Sequence, residues 1–89
     1  MKIFYTDEFI KKLERLPTET QKFYLNQENL LRENWRGPKL HTKKLRGRPI
    51  VFSFRVTRSY RALFYFRSSD EIILFAIGHR KDVYKKSGL

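Results

Sequence analysis

The stretch IVFSFRVTRSYRALFYF, residues 50–66, decides the fold of this 89-residue chain. Apolar side chains alternate along both of its halves, which predicts two β-strands, residues 50–56 and 60–66. Thr57-Arg58-Ser59 between them suits the turn of a hairpin. With a three-residue turn, Arg55 pairs with Arg61 on the face opposite to the apolar side chains, because a slip of one residue would mix the two faces.

This register places two like charges directly opposite each other, an arrangement that costs about 0.2–1 kcal/mol. No acidic residue lies nearby in the sequence to relieve Arg55 and Arg61. Two guanidinium groups at this spacing can bind one phosphate, or two neighbouring phosphates, bidentately. The alternative is a pair of solvated arginines on an open sheet face, or one covered by another chain. We expect the anion clamp.

Positive charge is concentrated around this hairpin. The chain has 20 Lys and Arg residues against nine acidic ones, a net charge of +11. From Arg36 to Arg67 there are ten basic residues and no acidic residue. Such a block repels itself and is tolerated best where a polyanion neutralises it, although a solvated basic surface is the other interpretation. The composition favours nucleic acid, an anionic membrane surface or an acidic protein as partner.

Upstream of the hairpin the sequence predicts a strand and a first helix. Residues 2–5 are a short apolar and aromatic run that suits a strand. Thr6 or Asp7 can cap a helix whose apolar residues recur at helical spacing as far as Leu16. Pro17 ends that helix, since the residue before proline is pushed out of helical geometry.

A second helix begins at once. Thr18 and Gln21 match a capping box, with Thr18 as N-cap and Gln21 reaching back, and the helix should stop by Gly37 and Pro38. Residues 36–49 are predicted to be a loop. The predicted apolar side of the second helix is Phe23, Tyr24, Leu30, Leu31 and Trp35.

Downstream of the hairpin, residues 72–77 are nearly all apolar, as in a strand buried on both faces. A polar turn, residues 67–70, precedes it, and a basic turn or single helical turn, residues 79–86, follows. The predicted fold is therefore α+β in the order β-α-α-β-β-β. An N-terminal strand and a helical hairpin precede a three-stranded antiparallel meander, which completes a four-stranded sheet packed on the helices.

Other features limit the classes of protein. Eighty-nine residues make one small domain, 1–89. Without cysteine, and with His41 and His79 as the two histidines, we expect no disulfide, metal site or cofactor. The N-terminus lacks a signal peptide and no apolar run approaches the ~20 residues of a membrane span, so we expect a cytoplasmic protein without membrane contact.

An ordered set of short motifs runs along the chain: Leu45-Arg46-Gly47-x-Pro49, a strand, Tyr60-Arg61, and Gly78-His79-Arg80 with Val83-Tyr84. Together with the order of elements, this set resembles the RelE/ParE toxin superfamily over essentially the whole chain. Resemblance to the RelE branch implies a ribosome-dependent mRNA endonuclease that inhibits translation as the toxin of a type II toxin–antitoxin pair. Its partners would be a cognate antitoxin, the ribosome and mRNA.

The resemblance also implies which residues form the active site. Arg55 falls at one of two strand lysines, Arg61 at the mid-chain arginine, and Arg80 and Tyr84 at the C-terminal arginine and tyrosine. Ser53 stands where the other strand lysine would be, so either the activity is weaker or Lys43, Lys44 or Arg58 replaces its charge. RNA-contacting candidates are Lys39, Lys43, Lys44, Arg46, Arg48, Ser53 and Arg58.

Cleavage by attack of the 2′-OH needs a proton acceptor, stabilisation of charge on phosphorus, and an acid for the leaving 5′-oxygen. Arginines can stabilise the charge but are poor bases, because they stay protonated. His79 is a candidate acid or base, although a structural or solvated histidine is the alternative. Tyr84 can stack on or orient a base, or else pack the tail against the sheet.

Two other functions fit the sequence. The ParE-like branch of the same fold acts on DNA gyrase and is not a nuclease. A non-catalytic RNA-binding module would need only the basic loop.

Overall fold

The computed structural model describes residues 1–45, 47 and 50–86. None of the helices in these ranges is long and apolar enough to cross a membrane. Residues 38–40 form one 3₁₀ turn. The elements are β1 (Lys2–Tyr5), α1 (Asp7–Arg15), α2 (Thr18–Glu33), β2 (Lys43–Leu45), β3 (Val51–Arg55), β4 (Tyr60–Ser68), β5 (Glu71–His79) and α3 (Val83–Lys86).

The strands form one sheet in the order β1-β5-β4-β3-β2. Strand β1 runs parallel to β5, and the other neighbours are antiparallel. The predicted α+β order of elements is confirmed, but the sheet has five strands rather than four. The fifth, β2, lies in the segment predicted to be a loop. Its three residues are too few to show an alternating pattern, and two of them are lysines, which are common on edge strands.

The start of α1 is confirmed and the start of α2 is not. The Thr6 side chain caps α1 by accepting a hydrogen bond from the backbone N–H of Phe9 at 3.1 Å. The predicted capping box is wrong, because Pro17 is the N-cap of α2 and Thr18 already lies inside the helix. Gln21 does reach back, but it donates to two carbonyls near the end of α1, at 2.8 and 3.2 Å.

The helices cover one face of the sheet, as predicted. Tyr24 and Leu31 of α2 are buried against it. Phe23 was predicted on the same side but is 51% exposed, because it points away from the sheet. The buried core cluster on this face consists of Phe9, Tyr24, Leu31, Leu40, Phe54, Val56, Ala62, Phe64, Ile72, Leu74 and Ile77.

The hairpin register is confirmed. Phe54 pairs with Ala62 and Arg55 with Arg61, and the Thr57 hydroxyl accepts hydrogen bonds from two backbone N–H groups of the turn, at 3.1 and 3.2 Å. The two arginines therefore share the face that the helices leave open.

Strand β5 contains a shift of register at Phe75. Leu63 pairs with Ala76, whereas the next residue, Phe64, pairs with Leu74. The extra residue on β5 exchanges the two faces beyond it, as a β-bulge does. His79 consequently pairs with Tyr60 on the helix-covered side.

Candidate active site on the open face of the sheet

A cavity of about 340 Å³ opens on the face away from the helices. Cationic side chains surround one tyrosine there, and among the described residues no acidic side chain lines it. Its lining residues are Lys43, Arg55, Arg58, Arg61, Arg80, Lys81 and Tyr84. Four of the five predicted catalytic residues thus lie together, brought from β3, β4 and the C-terminal segment.

Arg61 lies at the base of this cavity. It is only 6% exposed. Its Nε and Nη2 donate to the Ser53 hydroxyl at 3.1 and 3.0 Å, and Nη2 also donates to the backbone carbonyl of His41 at 2.7 Å. These three bonds use the N–H groups of Nε and Nη2 and fix the plane of the guanidinium group.

The charge on Arg61 is poorly compensated. In the described part of the chain no carboxylate comes within 4.0 Å of it. Burial lowers the pKa of the Arg61 guanidinium; Tyr84 opposes this shift, and the charge of Arg55 adds to it. An arginine remains protonated at neutral pH even so. The cavity therefore holds a fixed, partly desolvated positive charge.

Arg55 and Arg58 present further charge at the rim. Both side chains are exposed and both line the cavity. The end of β3 is tied down from below, because the Gln27 side chain donates to the Arg55 carbonyl at 2.7 Å. The backbone beneath Arg55 is thereby held while its guanidinium group stays in solvent.

The C-terminal segment closes the other side of the cavity. The Arg80 N–H donates to the Ser59 carbonyl at 2.7 Å, which ties the segment to the hairpin turn. Val83 is buried over Gly78, where an added Cβ would lie 3.7 Å from the valine Cβ. Packing of α3 here brings the Tyr84 hydroxyl within 3.5 Å of the Ser53 hydroxyl, to which it donates.

Ser53 and Lys43 are neighbours across β2 and β3 at the position where the resemblance expects a strand lysine. Ser53 is 0% exposed, so its predicted contact with RNA is not available at the surface; it instead accepts hydrogen bonds from Arg61 and Tyr84. Lys43 pairs with Ser53 across the strands and lines the cavity. Of the three residues expected to replace the missing charge, Lys43 and Arg58 are at the site.

Other predicted residues lie elsewhere. The structure does not bring His79 to this cavity: it lines a second one of about 500 Å³ on the helix side, and its Nδ1 accepts from the Lys81 N–H at 3.2 Å. Lys39 is exposed on the 3₁₀ turn, and Lys44 lines a third cavity. Arg46 and Arg48 lie outside the described residues.

Two residues at this cavity, His41 and Lys81, were not predicted from the sequence. The His41 carbonyl holds Arg61 because His41 adopts a left-handed backbone conformation, with φ 46°. Nothing in the sequence indicates that conformation for a histidine. Lys81 lines the cavity, and its only signal was membership of the basic C-terminal segment.

Comparison with known proteins agrees with this geometry. The class of protein is that of the toxins of type II toxin–antitoxin systems. A family model described as the ParE toxin of type II toxin–antitoxin system, parDE, matches residues 3–84. The chain belongs to this family, within the RelE/ParE superfamily that the sequence motifs indicated. A comparison with curated proteins finds no match.

Solved structures share the fold. The RelE–RelB complex from Pyrococcus horikoshii OT3 matches with a TM-score of 0.75 and 17% identity, over 92% of this chain and 97% of that one. A YoeB/ParE toxin from Agrobacterium tumefaciens matches with 0.74 and 14%, over 90% and 99%. The RelB–RelE complex from Methanococcus jannaschii matches with 0.71 and 26%, over 93% and 96%.

Proposed function

We propose that this toxin is a ribosome-dependent mRNA endonuclease. The observation that carries the proposal is the buried Arg61, fixed by Ser53 and the His41 carbonyl at the base of a cavity that no acidic side chain of the described residues lines. A desolvated and immobile guanidinium stabilises charge that develops on a phosphate more strongly than a solvated one does. Arg55 and Arg80 at the rim supply further positive charge.

The reaction would be attack by the 2′-oxygen on the adjacent phosphorus. The bond between phosphorus and the 2′-oxygen forms while the bond to the 5′-oxygen breaks, which leaves a 2′,3′-cyclic phosphate and a 5′-OH. One proton leaves the 2′-OH and one reaches the 5′-oxygen. Arg61 and Arg55 would bind the non-bridging oxygens, and Lys43 would supply the charge that Ser53 lacks.

The described cavity lining offers few groups for proton transfer, and this favours a cleavage reaction that depends on the ribosome. Among the described residues lining the cavity, no histidine or carboxylate is present. Tyr84 and the amines of Lys43 and Lys81 are the groups that can exchange protons there. The ribosome would hold the mRNA in line for attack, a contribution that positioning alone can make large.

A cognate antitoxin is the second proposed partner. The Pyrococcus and Methanococcus matches are complexes of RelE with RelB. The uncompensated charge of the cavity supports an acidic antitoxin segment that covers it.

The test is a reconstituted translation reaction in which mRNA cleavage is mapped by primer extension. Arg80→Ala tests the side chain alone, because it removes the exposed guanidinium group and keeps the backbone hydrogen bond to Ser59. We expect a loss of cleavage of about 10²–10³-fold. Arg15→Ala, which removes an exposed arginine at the end of α1, is the matched control and should cleave normally. Equal activity of the two variants would refute the assignment.

Inhibition of DNA gyrase is the second candidate function. The match to a family described by ParE favours it, as does the lack of an acid–base pair in the described cavity lining. A supercoiling assay with gyrase, run beside the translation assay, separates the two. Gyrase inhibition without mRNA cleavage would replace the nuclease proposal.

A further inference from the structure

A third cavity, of about 450 Å³, lies on the opposite side of β2 from the Arg61 site. Lys44 and Phe52, which pair across β2 and β3, line it. Trp35 and Arg36 line it from the segment after α2. No acidic side chain lines it within the described residues, so it combines an aromatic surface with uncompensated positive charge.

The Arg36 guanidinium group lies over the ring of Trp35. The Arg36 Cζ lies 4.5 Å from the centroid of the Trp35 ring, and the Arg36 side chain is exposed. Phe52 and Phe66 contact Trp35 edge-on, with centroids at 5.0 and 5.1 Å. The ring is therefore held from the core side, while the guanidinium group above it faces solvent.

The segment that carries Trp35 and Arg36 is tied at both ends. The Thr42 hydroxyl donates to the Trp35 carbonyl at 2.6 Å. The Arg36 N–H donates to the Asn34 side-chain oxygen at 3.1 Å. These bonds hold the backbone that carries Trp35 and Arg36, which reduces the entropy lost on binding.

We propose that this cavity binds one nucleotide of single-stranded RNA. The base would stack on the Arg36 guanidinium, backed by Trp35, and Lys44 would contact an adjoining phosphate. RNA bases that are not paired are commonly bound by stacking on aromatic rings and arginine planes. An acidic protein segment would use the charge of Lys44 but not the exposed face of the guanidinium group over Trp35, so the combination favours RNA.

The position of the cavity supports a strand of RNA that continues to the Arg61 site. Lys43 lines that site and Lys44 lines this cavity, because consecutive side chains of β2 point to opposite faces. His41 belongs to both, since it lines this cavity and its carbonyl accepts from Arg61. The inference rests on the proposed function only in that RNA is the ligand.

Trp35 is the only tryptophan of the chain, so its fluorescence reports on this cavity alone. The probe is a single-stranded hexanucleotide with 2′-O-methyl groups, which cannot be cleaved by 2′-OH attack. Its affinity is measured by anisotropy of an attached dye at low salt, without ribosomes. Acrylamide, a neutral quencher, then measures the exposure of Trp35 with and without the probe.

We expect the probe to shield Trp35 from acrylamide and an abasic version to shield it less. Arg36→Ala should weaken binding roughly fivefold or more, and Arg36→Lys, which keeps the charge but loses the plane, should also bind more weakly than the wild type. Lys44→Ala should weaken binding more than Lys22→Ala, the matched loss of one exposed lysine on α2.

Three results would overturn the inference: no binding of the probe, binding that leaves the exposure of Trp35 unchanged, or equal effects of the two lysine variants. Shielding of Trp35 by the antitoxin but not by the probe would assign the cavity to a protein partner instead. Because the probe is not cleavable, none of these results depends on whether the chain is a nuclease.

Discussion

Substitution of Ser53 by alanine tests whether the buried arginine is held as described. The Ser53 hydroxyl is fully buried and accepts hydrogen bonds from Arg61 Nε and Nη2, at 3.1 and 3.0 Å. Alanine removes this acceptor and adds no bulk. Nη2 keeps the His41 carbonyl, but Nε loses its one hydrogen-bond partner among the described residues.

The expected cost follows from the charge on the donor. Hydrogen bonds to charged groups contribute about 1.5–3 kcal/mol, and a buried donor left unsatisfied costs the desolvation of that group. We therefore expect Ser53→Ala to lower the free energy of unfolding by about 1.5–3 kcal/mol. For a domain of this size each kcal/mol shifts Tm by about 4–8 °C, so the drop should be roughly 10 °C.

Urea unfolding followed by circular dichroism measures this change. Ser69→Ala is the matched control, because Ser69 is exposed in the turn between β4 and β5; its effect should stay within about 0.5 kcal/mol. A loss of less than about 0.5 kcal/mol for Ser53→Ala would refute the anchoring of Arg61 by this hydroxyl.

A double-mutant cycle separates the hydrogen bond from the small cavity that alanine leaves. Arg61→Met removes the buried charge with a side chain of similar length. If the Ser53–Arg61 hydrogen bond accounts for most of the lost stability, Ser53→Ala should cost much less in the Arg61→Met background. The coupling energy should then lie in the usual range for contacting residues, about 0.5–3 kcal/mol. Independent, additive effects would contradict the assignment.

Three further predictions concern other parts of the chain. Arg55→Ala should raise the free energy of unfolding by about 0.2–1 kcal/mol, because it removes a cross-strand like-charge pair. It should also reduce the stabilisation of the protein by added sulfate. Thermal melts with and without sulfate measure the two effects, and an unchanged effect of sulfate would contradict the prediction. Burial and the hydrogen bond to Glu28 raise the pKa of Tyr5 from 10.0 to about 12. Because the folded-state pKa exceeds the unfolded value of 10.0, the contribution of neutral Tyr5 to the free energy of folding is complete below pH 10.0 and is lost as the pH rises towards 12. Tyrosinate absorbance should show the shift, and Glu28→Gln should reduce it; a Tyr5 that titrates at its ordinary value would refute the contact. Val83→Ala removes two buried methyl groups and leaves a cavity, so it should cost about 1.5–3 kcal/mol and loosen Tyr84; unchanged stability in urea would contradict the docking of α3.

The hairpin was predictable because two kinds of information in the sequence agree. Alternating apolar residues fix which face each side chain takes, and a three-residue turn fixes the register. Pairing of Arg55 with Arg61 then follows without any knowledge of the rest of the chain. The N-cap at Thr6 is equally local, since it depends on residues within one turn.

The position of His79 was not predictable for the opposite reason. Without the shift at Phe75, the alternation begun by Ile72 and Leu74 would place His79 on the same face as Arg61. The extra residue reverses that parity, and His79 lies beside Tyr60 instead. A bulge depends on pairing with β4 and leaves no mark in an apolar run. Burial of Arg61 likewise depends on the His41 carbonyl, which comes from 20 residues away.

Two features of the cavity destabilise the free protein, and binding of an anion would offset both. Arg61 is buried with no carboxylate of the described residues within 4.0 Å, and Arg55 and Arg61 form a like-charge pair across two strands. Both features are expected to lower the stability of the free toxin. A polyanion bound in the cavity would compensate the positive charges of both Arg55 and Arg61 and so stabilise the folded protein. Under the proposed function, the free protein should be less stable than its complexes with RNA or with an acidic antitoxin, and these two partners should compete for the cavity. Competition between the two for the Arg61 cavity then follows from charge alone, whereas the guanidinium group over Trp35 should discriminate in favour of RNA.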